Sequence, residues 1–317
     1  MQVIATGALF RAGVLLKSAT ALERLAEVDT VVFDKTGTLT EPMLALRDDP
    51  ARPPDALGVA ASLAASSRHP LSRSLLAAAG PVPAAAAVEE RPGQGLLCRT
   101  AGGETRLGSR AFAGDPAAPP AEGPELWLAR PGHQPVCFRF EERLRADAVA
   151  IVAGLQRAGL HVILASGDRV APVGRVAEAL GIHDWRAEIS PVDKVDLIER
   201  LRAQGHRVLM VGDGLNDAPS LAAASVSVSP ATAADISQTV ADVVFQGALL
   251  WPVAAVLRTA RRARAVMRQN LILSLLYNMI MLPLAVAGFV TPWLAAASMS
   301  GSSLLVIANS FRARRVL

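Results

Sequence analysis

The sequence is poor in cysteine and in aromatic residues. Its two cysteines, Cys98 and Cys137, stand far apart, which excludes both a paired-cysteine metal site and a disulfide framework. We expect both to be small buried thiols of a protein in a reducing cytosol. Aromatic residues make up 4% of the 317 residues, so alanine, leucine and valine supply most of the apolar mass.

We also expect no secretory signal peptide at the N-terminus. Arg11 and Lys17 interrupt the short apolar runs there, whereas a signal peptide needs one continuous apolar stretch. Leu22 and Leu25 have helical spacing, with charged residues on the other face. Residues 1–30 are therefore predicted to be a helix that runs into a strand.

Charge and hydropathy indicate a membrane rather than a nucleic acid as the partner. Hydrophobic residues make up 51% of the sequence and the mean hydropathy is +0.34, which is high for a wholly soluble protein. The net charge is +4, and arginines concentrate beside the apolar C-terminal third. That distribution is typical of a basic collar next to membrane-spanning segments. We expect contact with a lipid bilayer and none with nucleic acid.

The seven residues Asp34–Thr40 (DKTGTLT) are the most informative stretch of the chain. They follow Val31–Phe33, a short apolar run that predicts a buried strand. Asp34 is thus expected at the carboxyl end of a strand, where open α/β sheets bind their ligands. The glycine and threonines form a turn suited to a phosphate, and the Asp34 carboxylate can act as a nucleophile on a phosphoryl group. The alternative is an ordinary turn in which Asp34 caps the next segment.

A second polar turn follows the apolar strand predicted at residues 208–211. Residues 212–219 read GDGLNDAP and include Asp213, Asn216 and Asp217. Carboxylate and carboxamide oxygens form a hard site, which suits Mg²⁺ and is poor for soft metals. The alternative is a loop rich in Asp and Asn that binds no metal. Because strand ends converge on one crevice in a doubly wound sheet, we expect this turn beside the DKTGTLT turn.

Together these motifs resemble those of P-type ATPases, ion pumps that pass through an aspartyl-phosphate. The resemblance implies an α/β fold with a haloacid-dehalogenase-like doubly wound phosphorylation domain, an inserted α+β nucleotide-binding domain and a C-terminal transmembrane helical hairpin. The lead-in helix and first part of the phosphorylation domain would occupy 1–42, and the nucleotide-binding domain 43–135. The rest of the phosphorylation domain would occupy 136–250, and a basic helix with two transmembrane helices 251–317.

The resemblance implies a role for each residue of the two turns. Mg-ATP would phosphorylate Asp34. The Mg²⁺ ion would be bound by Asp34, the Thr36 backbone and Asp213. Asn216 would steady the phosphate, and Asp217 would support the site.

Two further segments match family motifs. Ser166-Gly167-Asp168 ends a predicted strand at 161–165, and Ser166 with the Gly167 amide would hold phosphoryl oxygens; taken alone, this is an ordinary strand-end turn. Lys194 would neutralise charge on the transferring phosphoryl group, although a lone lysine is normally a solvated side chain. The implied catalytic residues are Asp34, Lys35, Thr36, Ser166, Gly167, Asp168, Lys194, Asn216 and Asp217.

A nucleotide site is implied in the segment rich in alanine, proline and glycine that follows Pro42. His69-Pro70 matches a pair that contacts adenine in the heavy-metal branch of the family, although a lone histidine before proline is usually a surface or capping residue. Gly93, Gly95 and Gly108 match the glycines beside the nucleotide, where the absence of a side chain lets backbone approach a flat base. One departure is that an acidic residue common about one turn before the histidine is absent. Ala64 stands at that position.

The C-terminal third is predicted to form two membrane-spanning helices. Residues 271–290 carry no charge and are long enough to cross a bilayer, and a second uncharged run ends at Asn309. Thr291-Pro292 would form the turn between them, with Trp293 as an interface anchor. Arginines flank both ends of the hairpin, which places both ends on the cytoplasmic side.

Polar residues inside these spans are candidates for an ion path. Tyr277-Asn278 and the Met-x-x-Ser-Ser pattern that contains Met299 and Ser303 resemble the copper-transporting subgroup. A thioether is a soft donor that favours Cu⁺ over Zn²⁺, and the resemblance implies that these four residues help to bind copper. The alternative is that they pack the two helices together.

The resemblance covers the whole chain, but pumps of the family are longer. The sequence contains neither the Cys-Pro-Cys motif, which carries the main copper ligands, nor the Thr-Gly-Glu motif needed to hydrolyse the aspartyl-phosphate. We expect a C-terminal part of a pump that binds nucleotide and does not transport. The implied partners are nucleotide, lipid and the N-terminal part of the pump or a copper chaperone. The implied location is a bacterial inner membrane, crossed more than once, with the catalytic domains in the cytoplasm.

Three alternatives stay open. A Zn²⁺/Cd²⁺ exporter would carry acidic and basic membrane residues that these two helices lack. A phosphatase of the haloacid dehalogenase class usually has a second aspartate two residues after the nucleophile, where Thr36 stands. A non-catalytic subunit that only binds nucleotide at a membrane would not need four intact residues, namely Asp34, Lys194, Asp213 and Asp217. Among copper pumps, Ser-Arg-His-Pro-Leu and Ser-Gly-Asp-Arg resemble the FixI/CcoI type, whose copper serves assembly of cbb3-type cytochrome oxidase.

Overall fold

A computed structural model describes residues 2–100, 102–115, 123–213, 217–232 and 235–314 of the chain. The chain divides into two compact units. The larger unit comprises residues 1–40 and 144–317, and the smaller comprises residues 41–143.

The elements are numbered in chain order. The strands are β1 (Val14–Leu16), β2 (Thr30–Phe33), β3 (Ala45–Leu46), β4 (Val88–Arg91), β5 (Gly95–Thr100), β6 (Gly103–Gly108), β7 (Glu125–Ala129), β8 (Val136–Glu141), β9 (His161–Ala165), β10 (Asp184–Arg186), β11 (Val208–Val211), β12 (Val226–Pro230) and β13 (Val243–Phe245). The helices are α1 (Gln2–Arg11), α2 (Ala19–Glu27), α3 (Ala56–Ala64), α4 (Pro70–Ala79), α5 (Arg110–Ala113), α6 (Ala148–Arg157), α7 (Val170–Leu180), α8 (Pro191–Ala203), α9 (Ala218–Ala223), α10 (Asp235–Val240), α11 (Trp251–Val286) and α12 (Pro292–Ser310).

The larger unit is built on a sheet with strand order β1-β13-β12-β11-β2-β9-β10. The strands are parallel except β1, which runs antiparallel to β13. Within β2, Phe33 lies opposite Val211 of β11 and Leu164 of β9. The carboxyl ends of these three strands therefore align, so the residues that follow them meet at one edge of the sheet.

Helices cover both faces of this sheet because its central strands contain uninterrupted apolar runs. Val31 and Phe33 of β2 pack into the core shared with α1, α2, α6, α7 and α11, whereas Val32 packs into the core shared with α8 and α9. Alternate residues of a strand face opposite sides, so an uninterrupted apolar run is buried on both. Each such side chain stabilises the fold by about 1.5–3 kcal/mol. The predicted doubly wound α/β fold is confirmed.

The N-terminal segment differs from the single helix predicted for residues 1–30. Two helices, α1 and α2, flank strand β1, whose Val14 lies opposite Phe245. Gly13 adopts a φ of +79° and ends the first helix. Ser18 begins the second, since its hydroxyl accepts the Thr20 amide. The partner strand β13 lies far from β1 in the sequence, so local residue spacing could not predict the pairing.

The smaller unit has an antiparallel sheet with strand order β3-β8-β7-β6-β5-β4. Helices α3 and α4 pack on it through Leu63 and Leu75, which share a core with Leu96, Leu128 and Phe138. This is the predicted α+β domain, whose sequence is inserted between the two segments of the larger unit.

The C-terminal segment is a helical hairpin. The first part of α11 is buried against the larger unit, and the rest of this 36-residue helix is exposed. Helix α12 runs back beside it, with Asn270 Nδ2 donating to Ser310 Oγ at 3.0 Å and Tyr277 Oη 3.2 Å from Ser298 Oγ.

One of the two predicted spans has the length and hydropathy of a membrane-spanning helix, and the other stays a prediction. Within the described residues, α11 is the one helix that is long and apolar enough to cross a membrane. The serines of α12, among them Ser298, Ser302 and Ser303, lower its hydropathy.

Candidate active site

Asp34 follows directly after β2, and its backbone amide donates to the carbonyl of Val211 at 2.9 Å. The turn that follows is closed by Thr40, whose hydroxyl accepts the Gly37 amide at 3.1 Å and whose amide donates to the Lys35 carbonyl at 3.1 Å. Asp34 is 7% exposed, so the turn holds a carboxylate at a nearly buried position.

Glycine is required at position 37 for two reasons. Its φ is +69°, a left-handed conformation that side chains rarely adopt. A Cβ atom there would also lie 1.7 Å from Oδ2 of Asp213. The two polar turns predicted to be neighbours are therefore packed against each other, and the glycine of DKTGTLT is what lets Asp213 approach.

Lys194 is delivered to Asp34 by the start of α8. Ser190 caps this helix through a reciprocal arrangement with Asp193, and Pro191 occupies the first turn. Lys194 lies one turn further on, where its side chain is buried. Its ammonium donates to Asp34 Oδ1 and to Asp217 Oδ1, the latter at 2.7 Å. Burial disfavours the charged form of Lys194, but the two carboxylates outweigh it and raise the pKa of Lys194.

Three carboxylates converge beside this lysine. One oxygen each from Asp34, Asp213 and Asp217 lies within 4.8 Å of the other two. Burial raises the pKa of Asp34 to about 7, with Lys194 acting in the opposite direction and Asp217 adding to it. Burial also raises the pKa of Asp213 to about 6, and Asp217 again adds to it. A divalent cation would relieve this repulsion, and the all-oxygen donor set fits Mg²⁺.

The predicted Ser166-Gly167-Asp168 turn lies at the end of β9. Asp168 Oδ2 accepts from Lys35 Nζ at 2.7 Å and from the hydroxyls of Thr36 and Ser166, each at 3.2 Å. Burial opposes ionisation of Asp168, but the hydrogen bonds and the charge of Lys35 outweigh it and lower the pKa of Asp168. These residues therefore form a second cluster that ties the β9 turn to the turn carrying Asp34.

Arg145 is a residue of the site that the sequence analysis missed. It is 2% exposed, its guanidinium donates to the Gly37 carbonyl at 2.6 Å, and its amide donates to the Leu39 carbonyl at 2.9 Å. Two residues on, Asp147 accepts the Leu250 and Trp251 amides at the start of α11, at 2.9 and 2.7 Å. The short segment 145–147 thus contacts both the Asp34 turn and the start of α11, which is the helix long and apolar enough to cross a membrane. Arg145 lies in a loop and belongs to no motif or periodic pattern, so nothing in the sequence indicated its role.

The predicted nucleotide residues lie around one pocket in the smaller unit. It has a volume of about 270 Å³, and His69, Gly93, Gly95 and Gly108 all line it. Gly95 and Gly108 lie opposite each other on β5 and β6, where a Cβ on Gly95 would lie 2.2 Å from the Leu107 carbonyl oxygen. Pro70 does not line the pocket; it occupies the first turn of α4 and so fixes where that helix begins.

Some of the predicted residues lie neither in the cluster around Asp34 nor in the pocket of the smaller unit, or cannot be placed. Asn216 lies outside the described residues. Tyr277 contacts Ser298 across the hairpin, whereas Met299 is 66% exposed and Asn278 and Ser303 are also exposed.

Comparison with known proteins places this geometry in a family. Residues 28–225 match the family model described as haloacid dehalogenase-like hydrolase. The chain is 48% identical to nitrogen fixation protein FixI of Bradyrhizobium diazoefficiens over 99% of its own length and 44% of that protein. It is 36% identical to the probable copper-transporting ATPase SynA of Synechococcus over 98% of its length and 42% of that protein.

A solved structure agrees with these sequence matches. The crystal structure of a zinc-transporting PIB-type ATPase matches 99% of this chain and 54% of that one, with a TM-score of 0.79 and 26% identity. The chain spans less than half the length of the two curated relatives. The chain therefore belongs to the haloacid dehalogenase-like hydrolase family, and over its whole length it is homologous to the C-terminal catalytic part of heavy-metal P-type ATPases.

Proposed function

We propose that this chain is the catalytic part of an ATP-driven heavy-metal pump in which Mg-ATP phosphorylates Asp34. One observation carries the proposal: the carboxylate of Asp34 is buried at the carboxyl end of β2, where Lys194 bonds it and the oxygens of Asp213 and Asp217 lie within 4.8 Å. A buried carboxylate surrounded by two others and a cation is poorly suited to a structural role, because burial raises its pKa to about 7.

The geometry supports attack by Asp34 on the terminal phosphorus of ATP. One carboxylate oxygen forms the new O–P bond, while the bond to the bridging oxygen breaks and ADP leaves. Lys194 would keep Asp34 ionised before attack and neutralise charge on the transferring group afterwards. Asp34 and Asp213, with the Thr36 backbone, would hold Mg²⁺, which supplies charge neutralisation for the phosphoryl oxygens when bound. Ser166 and the Gly167 amide would contact those oxygens once the hydroxyl turns from Asp168.

Position 36 favours a pump over a phosphatase. A phosphatase of this family usually has an aspartate two residues after the nucleophile, which acts as a general acid. Here Thr36 stands there, and its hydroxyl donates to Asp168 at 3.2 Å. Without a carboxylic acid at that position, the aspartyl-phosphate should persist rather than be hydrolysed at once.

Cu⁺ is the ion that we propose for the pump. SynA is named as a probable copper transporter, and Tyr277, Asn278, Met299 and Ser303 match the copper subgroup. The Met299 thioether is a soft donor, which suits Cu⁺. The zinc-transporting structure supports the alternative of Zn²⁺, but these helices offer no carboxylate to that ion. From the resemblance of Ser-Arg-His-Pro-Leu and Ser-Gly-Asp-Arg to the FixI/CcoI type, we propose that the pump lies in a bacterial inner membrane and serves cbb3-type oxidase assembly.

The test is acid-stable labelling of the detergent-purified chain by γ-labelled ATP with Mg²⁺. We expect label in the parent chain, none in Asp34→Asn, and unchanged label in the matched control Asp48→Asn, which removes an exposed carboxylate. Hydroxylamine should release the label, because it cleaves an acyl phosphate. Label that survives in Asp34→Asn would contradict the proposal.

A further inference from the structure

The nucleotide pocket of the smaller unit contains an acidic side chain that the sequence motifs did not single out. Glu90, on strand β4, lines the pocket together with Ser67, His69 and the glycines of β5 and β6. Ser67 Oγ donates to Glu90 Oε1 at 2.9 Å, and the His69 amide donates to Ser67 Oγ at 3.2 Å. The buried Ser67 therefore holds Glu90 next to His69. Glu90 lies on strand β4, whereas the acidic residue common in the family would stand at position 64.

His69 presents a hydrogen-bond donor to the same pocket. Its Nδ1 atom accepts the Leu71 amide at 3.3 Å as it caps α4. In the neutral ring the proton is then on Nε2, so the free nitrogen of the imidazole donates. The pocket thus offers a donor from His69 and an acceptor from Glu90.

The second carboxylate of the pocket, Glu125, is engaged elsewhere. Arg110 donates to both of its oxygens, at 2.9 and 3.0 Å, and Cys137 contacts it at 3.5 Å. The Arg110 pair lowers the pKa of Glu125 and keeps it ionised, although burial acts against this. A carboxylate has about four accepting positions, and the Ser67 contact of Glu90 uses one of them. Glu90 is therefore the better candidate for an acceptor that faces a ligand.

We propose that Glu90 selects adenine by accepting a hydrogen bond from its exocyclic amine. Adenine presents the N6 amine as a donor beside the N7 acceptor, which matches Glu90 beside His69 Nε2. Guanine presents two acceptors on that edge, so its O6 would face the carboxylate. Glycines at 93, 95 and 108 leave room for the flat ring. This inference rests on the proposed ATP-dependent function and names a residue that decides which base is accepted.

A purely structural role of Glu90 makes a different prediction. Through Ser67, the Glu90 carboxylate also anchors the loop that carries His69, so its loss would loosen the pocket for every nucleotide. Only a contact with the amine makes the effect depend on whether the amine is present.

The experiment compares ATP with purine riboside 5′-triphosphate, which lacks the N6 amine and carries the same phosphates. Equilibrium binding to the full chain is measured by calorimetry in detergent and EDTA, which prevents phosphoryl transfer. A hydrogen bond to a charged group predicts that the parent binds ATP about 10-fold more tightly than the analogue. In Glu90→Ala we expect this ratio to fall to about 1, because ATP alone loses a contact. The ratio cancels the effect of removing a negative charge near the triphosphate.

Two further variants complete the test. Glu90→Gln keeps one carbonyl acceptor and should retain part of the preference for ATP. Glu104→Ala removes a carboxylate of strand β6 that does not line the pocket, and should leave the ratio unchanged. Binding of the analogue by Glu90→Ala also shows that the variant is folded.

The outcomes separate this inference from the proposed function. Equal weakening of both nucleotides in Glu90→Ala, or an unchanged ratio, would overturn the role of Glu90 and leave phosphorylation of Asp34 untouched. An ATP preference that depends on Glu90, in a chain that never forms the phosphoenzyme, would support the base contact while the proposed function fails. A parent chain that binds neither nucleotide would overturn both.

Discussion

Replacing Asp34 by asparagine should stabilise the protein at pH 8 although it removes the proposed nucleophile. Burial raises the pKa of Asp34 from 3.8 to about 7, against the opposing effect of Lys194. The folded chain therefore holds a proton on Asp34 more tightly than the unfolded chain does. The stability that this group contributes is fully present below pH 3.8 and is lost as the pH rises to 7.

The size of the effect follows from the pKa difference. Each pKa unit corresponds to about 1.4 kcal/mol, so a rise of about three units gives a ceiling of about 4 kcal/mol at pH 8. Asparagine is a neutral substitute of the same shape and avoids the cost of ionisation. Because Asp213 and Asp217 lie within 4.8 Å and readjust their own charge, the measured gain should fall below that ceiling. At pH 4, close to the unfolded pKa of 3.8, the two proteins should differ by less than about 1 kcal/mol.

The assay is thermal unfolding of the parent and of Asp34→Asn at pH 4 and pH 8 in EDTA. Asp29→Asn is a control of opposite sign: burial of Asp29 acts against its ionisation, but hydrogen bonds from Thr30 and Arg207 outweigh it and lower the pKa of Asp29. Its carboxylate stabilises the fold above pH 3.8, so this variant should be less stable at pH 8. A destabilised Asp34→Asn at pH 8, or a difference from the parent that does not change with pH, would refute the reasoning.

Three other predictions concern the turn and the membrane helices. Gly37→Ala should abolish acid-stable labelling and lower the melting temperature, because the new Cβ would lie 1.7 Å from a carboxylate oxygen of Asp213. The control Gly58→Ala places its Cβ where no atom lies within 4 Å, and it should be labelled like the parent. Arg145→Ala removes the guanidinium that donates to the Gly37 carbonyl, which costs about 1–3 kcal/mol of free energy of folding. Acid-stable labelling should then fall about 10-fold. Labelling at the parental level would show that Arg145 does not position the turn. Met299→Leu should weaken Cu⁺ retention in competition with a chromogenic chelator, whereas the control Met279→Leu should not. Equal Cu⁺ retention by the two variants would count against a thioether ligand at Met299.

The core of the candidate site could be predicted because its residues stand in local patterns. An apolar run of strand length followed by DKTGTLT fixes Asp34 at a strand end, and a second such run fixes Asp213 and Asp217. Parallel register then brings the two turns together, since Phe33 lies opposite Val211. These inferences need only local spacing and the rule that ligands bind at carboxyl ends of strands.

The parts that could not be predicted depend on contacts between distant residues. Arg145 reaches Gly37 from a remote part of the sequence, and Glu90 lies 23 residues from Ser67, so neither forms a motif. Strand β1 forms because Val14 pairs with Phe245, which is distant in the sequence, and not because of its own composition. In α12 the absence of charge suggested a span, but its serines keep it below the hydropathy that α11 reaches in its most apolar stretch.

Reduction with borohydride tests the central claim most directly, because it converts an aspartyl-phosphate into homoserine and releases phosphate. The full chain would be treated with Mg-ATP, quenched in acid, reduced and digested, and the peptide that contains residue 34 would be sequenced by mass spectrometry. We expect homoserine at position 34 that requires both Mg²⁺ and ATP. Homoserine at another aspartate, or none in a chain that still binds ATP, would contradict phosphorylation of Asp34.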